Sequence, residues 1–137
     1  MNENLKFLKE VFESESLPEE SLPEFVFWGR SNVGKSSLIN SITKSKIAKT
    51  SKTPGRTRSL VFFEFEKKIR IIDFPGYGYS KIPKYNEFKI DRLIENYLTQ
   101  RQVLKFIFLL IDARHGIMEI DKKILDQLDK ILGSKVI

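Results

Sequence analysis

The sequence predicts an α/β fold of three layers, in which a mostly parallel sheet with one antiparallel strand lies between helices. Short β-rich runs alternate with segments of helical periodicity along the chain, which is the pattern of a doubly wound sheet. Residues 104–111 are almost wholly apolar, as is typical of a central parallel strand buried on both faces. The short polar link Lys67-Lys68 between two β-rich runs predicts the one antiparallel hairpin.

Residues 1–21 are predicted to form a helix followed by a linker, and residues 22–137 to form one domain. Residues 14–23 contain two prolines, which interrupt regular structure. A chain of 137 residues has the usual size for a single core. Four apolar residues at helical spacing favour the N-terminal helix: Leu5, Leu8, Val11 and Phe12.

The remaining elements continue the alternation. Gly133 would close the last helix, and Val136-Ile137 would begin a further strand. In chain order, the predicted elements are a strand at 24–28, a helix at 35–42, an exposed basic loop at 44–58, strands at 59–66 and 69–73, and helices at about 87–102 and 117–132.

Composition excludes several classes of protein. The chain contains no cysteine, so it has no disulfide and no thiolate nucleophile or metal ligand. No apolar run approaches the roughly 20 residues that cross a bilayer, and the acidic first 20 residues lack the basic and apolar segments of a signal peptide. We therefore expect no membrane partner and a cytoplasmic location. The net charge of +6 favours polyanionic partners such as RNA or nucleotide phosphates.

Residues 29–36 carry the strongest chemical signal. They read G-R-S-N-V-G-K-S and satisfy the spacing G-x-x-x-x-G-K-[ST] between a predicted strand and a predicted helix. The glycines let consecutive backbone N–H groups surround a phosphate, and the helix N-terminus adds the positive end of its dipole. Lys35 would reach the β- and γ-phosphates, and the Ser36 hydroxyl would ligate Mg²⁺. This pattern predicts the fold of a P-loop NTPase. The residues expected to contact the nucleotide here are Gly29, Arg30, Ser31, Asn32, Val33, Gly34, Lys35, Ser36 and Ser37.

A second motif, Asp73-Phe74-Pro75-Gly76, ends the third β-rich run. Its aspartate is expected to hold Mg²⁺ through a bound water, and the Gly76 N–H to contact the γ-phosphate. A threonine from the basic loop between the two motifs would complete the magnesium sphere in the triphosphate state. Spacing alone leaves three candidates open: Thr50, Thr53 and Thr57.

These segments resemble the successive signatures of the EngB (YihA/YsxC) family, one of the TrmE-Era-EngA-EngB-Septin-like bacterial GTPases: GRSNVGKSSLIN, KTSKTPGRTR, DFPGYGYSK and DARHG. The similarity covers roughly residue 22 to the end of the sequence. It implies a GTP- and GDP-binding switch in assembly of the large ribosomal subunit, associated with cell division and septation. It also implies that Thr57 is the switch threonine on Mg²⁺ and acts with Lys35 in catalysis. The nucleotide-lining residues implied for the loop are Gly55, Arg56, Thr57, Arg58 and Ser59.

Two positions bear on how GTP would be hydrolysed. Asn32 lies where potassium-activated GTPases that resemble this sequence carry an asparagine, so its carbonyl oxygen would help to ligate K⁺. The alternative is that Asn32 only caps the loop through local hydrogen bonds. Tyr77 replaces the glutamine that orients water in Ras-like enzymes, and its ring has no amide. We therefore expect slow hydrolysis that depends on K⁺, a backbone-held water or the ribosomal partner.

The basic residues around the switch loop would present an electrostatic face to rRNA, although a merely solvated loop is the alternative. His115, the only histidine, is expected to serve loop structure or partner contact rather than catalysis. The basic residues are Lys44, Lys46, Lys49, Lys52, Arg56 and Arg58.

The sequence departs from the family at its C-terminal end. Family members continue into a T-K-x-D or N-K-x-D element whose aspartate pairs with guanine, and this sequence stops before it. Guanine selectivity is therefore implied by the resemblance alone. We expect a sheet that is incomplete at its C-terminal edge, with residues 104–111 as an open or nearly open edge strand. Two alternatives to a GTPase switch follow: a truncated, non-catalytic fragment with residual phosphate or RNA binding, and a P-loop ATPase or small kinase.

Overall fold

The computed structural model describes residues 4–31, 33–48, 58–78 and 84–137, and for residues 84–88 the backbone alone. Within these ranges the strands are β1 Leu5–Val11, β2 Glu24–Gly29, β3 Leu60–Phe65, β4 Ile69–Asp73 and β5 Leu104–Leu110. The helices are α1 Lys35–Thr43, α2 Lys84–Gln100 and α3 Glu119–Leu132. In the part of the chain that is described, no helix is both long enough and apolar enough to cross a membrane.

The five strands form one sheet in the order β1-β3-β4-β2-β5. β3 pairs antiparallel with both of its neighbours, whereas β2 pairs parallel with β4 and with β5. β3 is therefore the one strand that opposes the others, as predicted. The β3–β4 link is the predicted hairpin: Lys68 N donates to Phe65 O at 3.0 Å, and Glu66 and Lys67 have φ values of 53° and 56°.

Apolar clusters on both faces of the sheet give the predicted three layers. The larger cluster joins strand residues such as Ile72 to Leu93 of α2 and Leu128 of α3. The smaller cluster joins Ile71, the neighbour of Ile72 on β4, to Ile39 of α1. Because successive strand residues point to opposite faces, α2 and α3 cover one side of the sheet and α1 covers the other.

The helix predicted at the N-terminus is wrong, because Leu5–Val11 form an edge strand paired with β3. A β-bulge at Leu8 explains the misleading pattern. The extra residue inverts the alternation of side chains, so Leu5 packs in the smaller cluster and Val11 in the larger one. The resulting spacing of apolar residues resembles that of a helix. The strand is stabilised by backbone hydrogen bonds to β3, which the local sequence alone does not reveal. The register on either side of the bulge is Phe7–Phe63 and Lys9–Phe62.

β5 lies at the other edge of the sheet, as the predicted edge strand, and it is not the central strand buried on both faces that its composition predicts. Lys105 and Phe106 are exposed. The outer edge of β5 is partly paired, since Ile137 N donates to Ile107 O at 2.8 Å and Leu109 N donates to Ile137 O at 2.9 Å. These bonds accompany an isolated parallel bridge between Ile107 and Val136, which agrees with extended backbone at the predicted Val136-Ile137.

A buried charged cluster joins several elements at the end of the sheet opposite the glycine loop, and the sequence analysis did not foresee it. Glu24, the first residue of β2, is fully buried. Its carboxylate accepts hydrogen bonds from Arg70 at 3.1 Å, Tyr97 at 2.7 Å and Arg101 at 2.8 and 2.9 Å. Arg70 also donates to Glu19 O at 2.7 Å. The cluster therefore ties β2 and β4 to the end of α2 and to the segment before β2.

Candidate nucleotide-binding site

The glycine loop lies between β2 and α1, as its motif requires. Gly34 has φ +96° directly before the first residue of α1, a conformation that favours glycine. Gly29 is required for a different reason. A Cβ at Gly29 would lie 2.9 Å from Leu110 O of the neighbouring strand and 2.9 Å from the Val33 side chain. The glycines thus let the backbone leave the sheet and turn into the helix N-terminus.

Parallel pairing of β2 with β4 brings the two predicted motifs together. Phe27 lies opposite Asp73 in the register, so the carboxyl ends of the two strands lie side by side. Lys35 Nζ forms an ion pair and hydrogen bond with Asp73 Oδ1. Burial raises the pKa of Asp73, and the positive charge of Lys35 opposes that shift. The ammonium and the carboxylate predicted for one phosphate-metal site are therefore in direct contact.

The oxygen atoms available near the carboxyl ends of β2 and β4 suit Mg²⁺ as ligands. Ser36 follows Lys35 in the first turn of α1 and is buried. A hydroxyl and a carboxylate are the hard oxygen ligands that Mg²⁺ prefers. Ser36 and Asp73 are thus the described residues that could hold the ion.

The segment after Asp73 packs directly against the glycine loop. Tyr77 N donates to Gly29 O at 3.0 Å, and Ser31 N donates to Tyr77 O at 3.0 Å. A Cβ on Gly76 would lie 2.8 Å from Ser31 Cα and 2.9 Å from Ser31 N. Only glycine permits this approach, so the backbone of Gly76 lies against the glycine loop, and its contact with the γ-phosphate stays a prediction.

The Tyr77 side chain lies in the protein core and is 8% exposed. Its ring packs edge-on against Trp28, with centroids 5.5 Å apart. Its hydroxyl donates to Asp121 Oδ1 at 2.5 Å. Burial, together with the Asp121 carboxylate, raises the pKa of Tyr77, so the hydroxyl stays protonated. Sequence reasoning identified Tyr77 as unable to orient water but missed its contact with Asp121.

Two residues of the predicted switch segment are described. Arg58 donates from its guanidinium to Gly76 O. Ser59 Oγ donates to Glu10 Oε2 at 2.6 Å, so this hydroxyl is bonded to the edge strand β1. Lys44 and Lys46 of the basic loop are exposed. The following predicted residues of the glycine loop and the basic loop lie outside the described residues, so their roles stay predictions: Asn32, Lys49, Thr50, Lys52, Thr53, Gly55, Arg56 and Thr57.

The loop after β5 is an ordered turn around Asp112. The Asp112 carboxylate accepts hydrogen bonds from the backbone N–H of Arg114 at 2.9 Å and from the Arg114 guanidinium at 2.8 and 3.1 Å. These bonds hold the pKa of Asp112 below its usual value. His115 N donates to Asp112 O at 3.1 Å and the residue is exposed, which agrees with the loop role predicted for it.

A mixed sheet whose β2 and β4 are parallel, with this loop, this aspartate and this glycine, defines a P-loop nucleotide-binding domain. The chain belongs to the 50S ribosome-binding GTPase family, whose sequence pattern matches residues 24–137. The predicted resemblance to EngB is confirmed by similar proteins named as probable GTP-binding proteins EngB. The relative from Prosthecochloris aestuarii is 44% identical over 124 residues, which are 90% of this chain and 65% of the relative. The relative from Metamycoplasma arthritidis is 47% identical over 128 residues, which are 93% of this chain and 69% of the relative.

The relative from Nitrobacter winogradskyi is 50% identical over 119 residues, which are 85% of this chain and 55% of the relative. The chain thus spans between about half and two thirds of the length of these relatives. Solved structures agree on the fold. A crystal structure of a probable GTP-binding protein EngB has a TM-score of 0.57 at 31% identity, covering 77% of this chain and 65% of that one. The G domain of the T. maritima FeoB iron transporter has a TM-score of 0.52 at 26% identity, covering 85% of this chain and 69% of that one.

Proposed function

We propose that this chain binds GTP and GDP together with Mg²⁺ and acts as a nucleotide-dependent switch that hydrolyses GTP slowly. The observation that supports this most directly is the contact between Lys35, the first residue of α1, and Asp73, the last residue of β4. Two opposite charges at the N-terminus of α1 suit a ligand that carries both phosphates and a metal ion.

Each residue of the site has a distinct role in this proposal. The backbone N–H groups of residues 29–36 bind the phosphates, and Lys35 moves from Asp73 to the β- and γ-phosphates. Ser36 and Asp73 would hold Mg²⁺, with Thr57 as a third ligand in the GTP state; the ion supplies charge neutralisation between these phosphates. Asn32 would add a carbonyl ligand for K⁺.

Slow hydrolysis follows from the position of Tyr77. The residue that follows D-x-x-G orients the attacking water in Ras-like enzymes, whereas this side chain is in the core and bonded to Asp121. Water must then be positioned by backbone groups, by K⁺ or by a partner. GTP turnover without a partner is accordingly expected to be slow.

The proposed partner is the precursor of the large ribosomal subunit, through its rRNA. The description of the family as 50S ribosome-binding GTPases and the net charge of +6 support this. Roles in septation and cell division, and a cytoplasmic location, rest on the resemblance to EngB. Preference for guanine over adenine also rests on family membership.

Binding of fluorescent GTP tests the proposal. In Mg²⁺ and K⁺, the chain should bind fluorescent GTP, and unlabelled GTP and GDP should displace it. Lys35→Ala should weaken binding by more than about tenfold, since it removes a charge-assisted contact to the phosphates. Lys122→Ala, which removes an exposed lysine of α3, is the matched control and should bind like the wild type.

Unchanged binding in Lys35→Ala would contradict a P-loop mechanism. Tighter binding of ATP than of GTP would favour a P-loop ATPase instead. A wild-type chain that binds neither nucleotide in K⁺ or in Na⁺ would leave the non-catalytic RNA-binding alternative.

A further inference from the structure

We propose that Tyr77 and Asp121 are positioning residues that hold the backbone of Gly76 ready for the γ-phosphate, and so influence the ratio of GTP affinity to GDP affinity. This inference rests on the proposed function, since it concerns the phosphate end of the same site. It assigns a role to a buried pair that lies outside the glycine loop and the D-x-x-G motif.

The backbone of Tyr77 is fixed to the glycine loop on both sides. Its N–H donates to Gly29 O and its carbonyl accepts from Ser31 N, each at 3.0 Å. Gly76 lies directly before it, in close contact with Ser31. Any displacement of Tyr77 would therefore move Gly76 relative to the phosphate-binding backbone.

The side chain of Tyr77 secures this arrangement from the core. Its ring packs against Trp28, and Trp28 Nε1 donates to Pro75 O at 3.0 Å. The same indole therefore contacts the residues on both sides of Gly76. The Tyr77 hydroxyl then reaches Asp121 Oδ1 at 2.5 Å. Directly after Tyr77, Gly78 has φ +81°, so the chain turns at the point where this anchoring ends.

Asp121 is itself held in place, which makes it a suitable anchor. It is 1% exposed, and its second oxygen accepts from Met118 N at 2.8 Å at the start of α3. A buried carboxylate with both oxygens bonded has little freedom to move. The pair therefore fastens the segment that faces the γ-phosphate to the first turn of α3.

Loosening this anchor should affect GTP and GDP differently. Gly76 would contact the γ-phosphate, which GDP lacks, while the glycine loop binds both nucleotides through the remaining phosphates. Both ligands carry the same base, so base recognition cancels in the ratio of their affinities. Loss of about one ordered hydrogen bond should weaken GTP binding roughly three- to tenfold relative to GDP.

The test compares dissociation constants of fluorescent GDP and of a non-hydrolysable GTP analogue in Mg²⁺. Tyr77→Phe removes the hydroxyl and keeps the ring against Trp28. Asp121→Ala removes the acceptor, whereas Asp121→Asn retains an amide that can pair with the hydroxyl. Tyr97→Phe is the matched control, because it removes another buried hydroxyl bonded to a carboxylate, Glu24, at the opposite end of the sheet.

We expect Tyr77→Phe and Asp121→Ala to lose affinity for the GTP analogue selectively, Asp121→Asn to restore most of it, and Tyr97→Phe to leave the ratio unchanged. A ratio that is unchanged in Tyr77→Phe and Asp121→Ala, or shifted equally in Tyr97→Phe, would overturn the inference while the proposed function stands. A wild-type chain that binds neither nucleotide would overturn the proposed function and the inference with it.

Discussion

At the scale of single residues, the site depends on how closely two backbone segments approach each other. Gly76 and Ser31 come from different motifs, yet their backbones meet at a distance that leaves no room for a Cβ. Arg58 binds the carbonyl of Gly76, so three segments of the chain converge on this one residue. The steric demand at Gly76 is therefore part of the candidate site as well as of the fold.

Gly76→Ala is expected to lower the free energy of unfolding by about 1–3 kcal/mol, because the methyl group must displace backbone atoms of Ser31. The same displacement should weaken GTP binding. Urea unfolding and nucleotide titration measure the two effects. Gly116→Ala is the control: Gly116 has φ +67° in the turn after β5, so it should cost about 1 kcal/mol through strain and leave binding unchanged. Wild-type affinity in Gly76→Ala would show that the contact does not matter for the nucleotide.

The main site residues were predictable because their motifs encode backbone requirements. The glycines and Lys35 lie within one short pattern, and Asp73 could be placed beside them because parallel strands end at a common edge. The bond between Tyr77 and Asp121 could not be predicted, since 44 residues separate the partners and no periodic pattern links them. The only local signal was an aspartate in the first turn of a predicted helix, which is also typical of a helix cap.

At the scale of elements, the sheet shows where local pattern and tertiary pairing agree and where they conflict. Apolar periodicity and the positions of the glycines predict four elements close to where they form: β2, β4, α1 and α3. β1 was not predicted, because its bulge at Leu8 hides the alternation of a strand. Its partner β3 also lies about 50 to 60 residues further along the chain. A pairing partner so distant is invisible to any local window. The β3–β4 hairpin is local, and its turn chemistry can be tested directly.

Lys67→Gly is expected to stabilise the protein by about 0.5–1 kcal/mol. Lys67 has φ +56° in the turn between β3 and β4, a conformation that costs non-glycine residues energy and suits glycine in two-residue hairpin turns. Urea unfolding measures the gain. Lys68→Gly is the matched control: it removes the same charge one position later, outside the left-handed region, and should destabilise the hairpin or leave it unchanged. Destabilisation by Lys67→Gly equal to that of Lys68→Gly would contradict the turn geometry described above.

At the scale of the whole molecule, the two ends of the sheet serve different purposes. The carboxyl ends of β2 and β4 lie beside the glycine loop and the ion pair between Lys35 and Asp73, which the proposed nucleotide would separate. The opposite ends carry Glu24 with two arginines that are 8% and 7% exposed. Glu24 accepts bonds from Arg70, Tyr97 and Arg101, so protein groups hold this second cluster together. The Glu24 cluster holds the C-terminal end of α2. The helix that follows the D-x-x-G segment is therefore anchored at the end of the sheet opposite the glycine loop.

Glu24→Gln should therefore destabilise the entire domain rather than the site alone. The amide keeps the size of the side chain but leaves two buried guanidinium groups without their shared negative charge, which typically costs about 3–5 kcal/mol. Because small domains are stable by only about 5–15 kcal/mol, such a loss is a large fraction of the total. Urea unfolding should show one cooperative transition at a clearly lower midpoint. The loss should persist in 1 M salt, since screening by salt reaches buried pairs poorly.

Glu95→Gln makes the same chemical change on the exposed face of α2 and should alter the free energy of unfolding by less than about 0.5 kcal/mol. A loss below about 1 kcal/mol in Glu24→Gln, or a loss that disappears in salt, would mean that the cluster is solvated in solution. If instead the loss is large while the ratio of GTP to GDP affinity stays that of the wild type, the two ends of the sheet are energetically separate. In that case one end maintains the fold and the other is free to respond to the nucleotide.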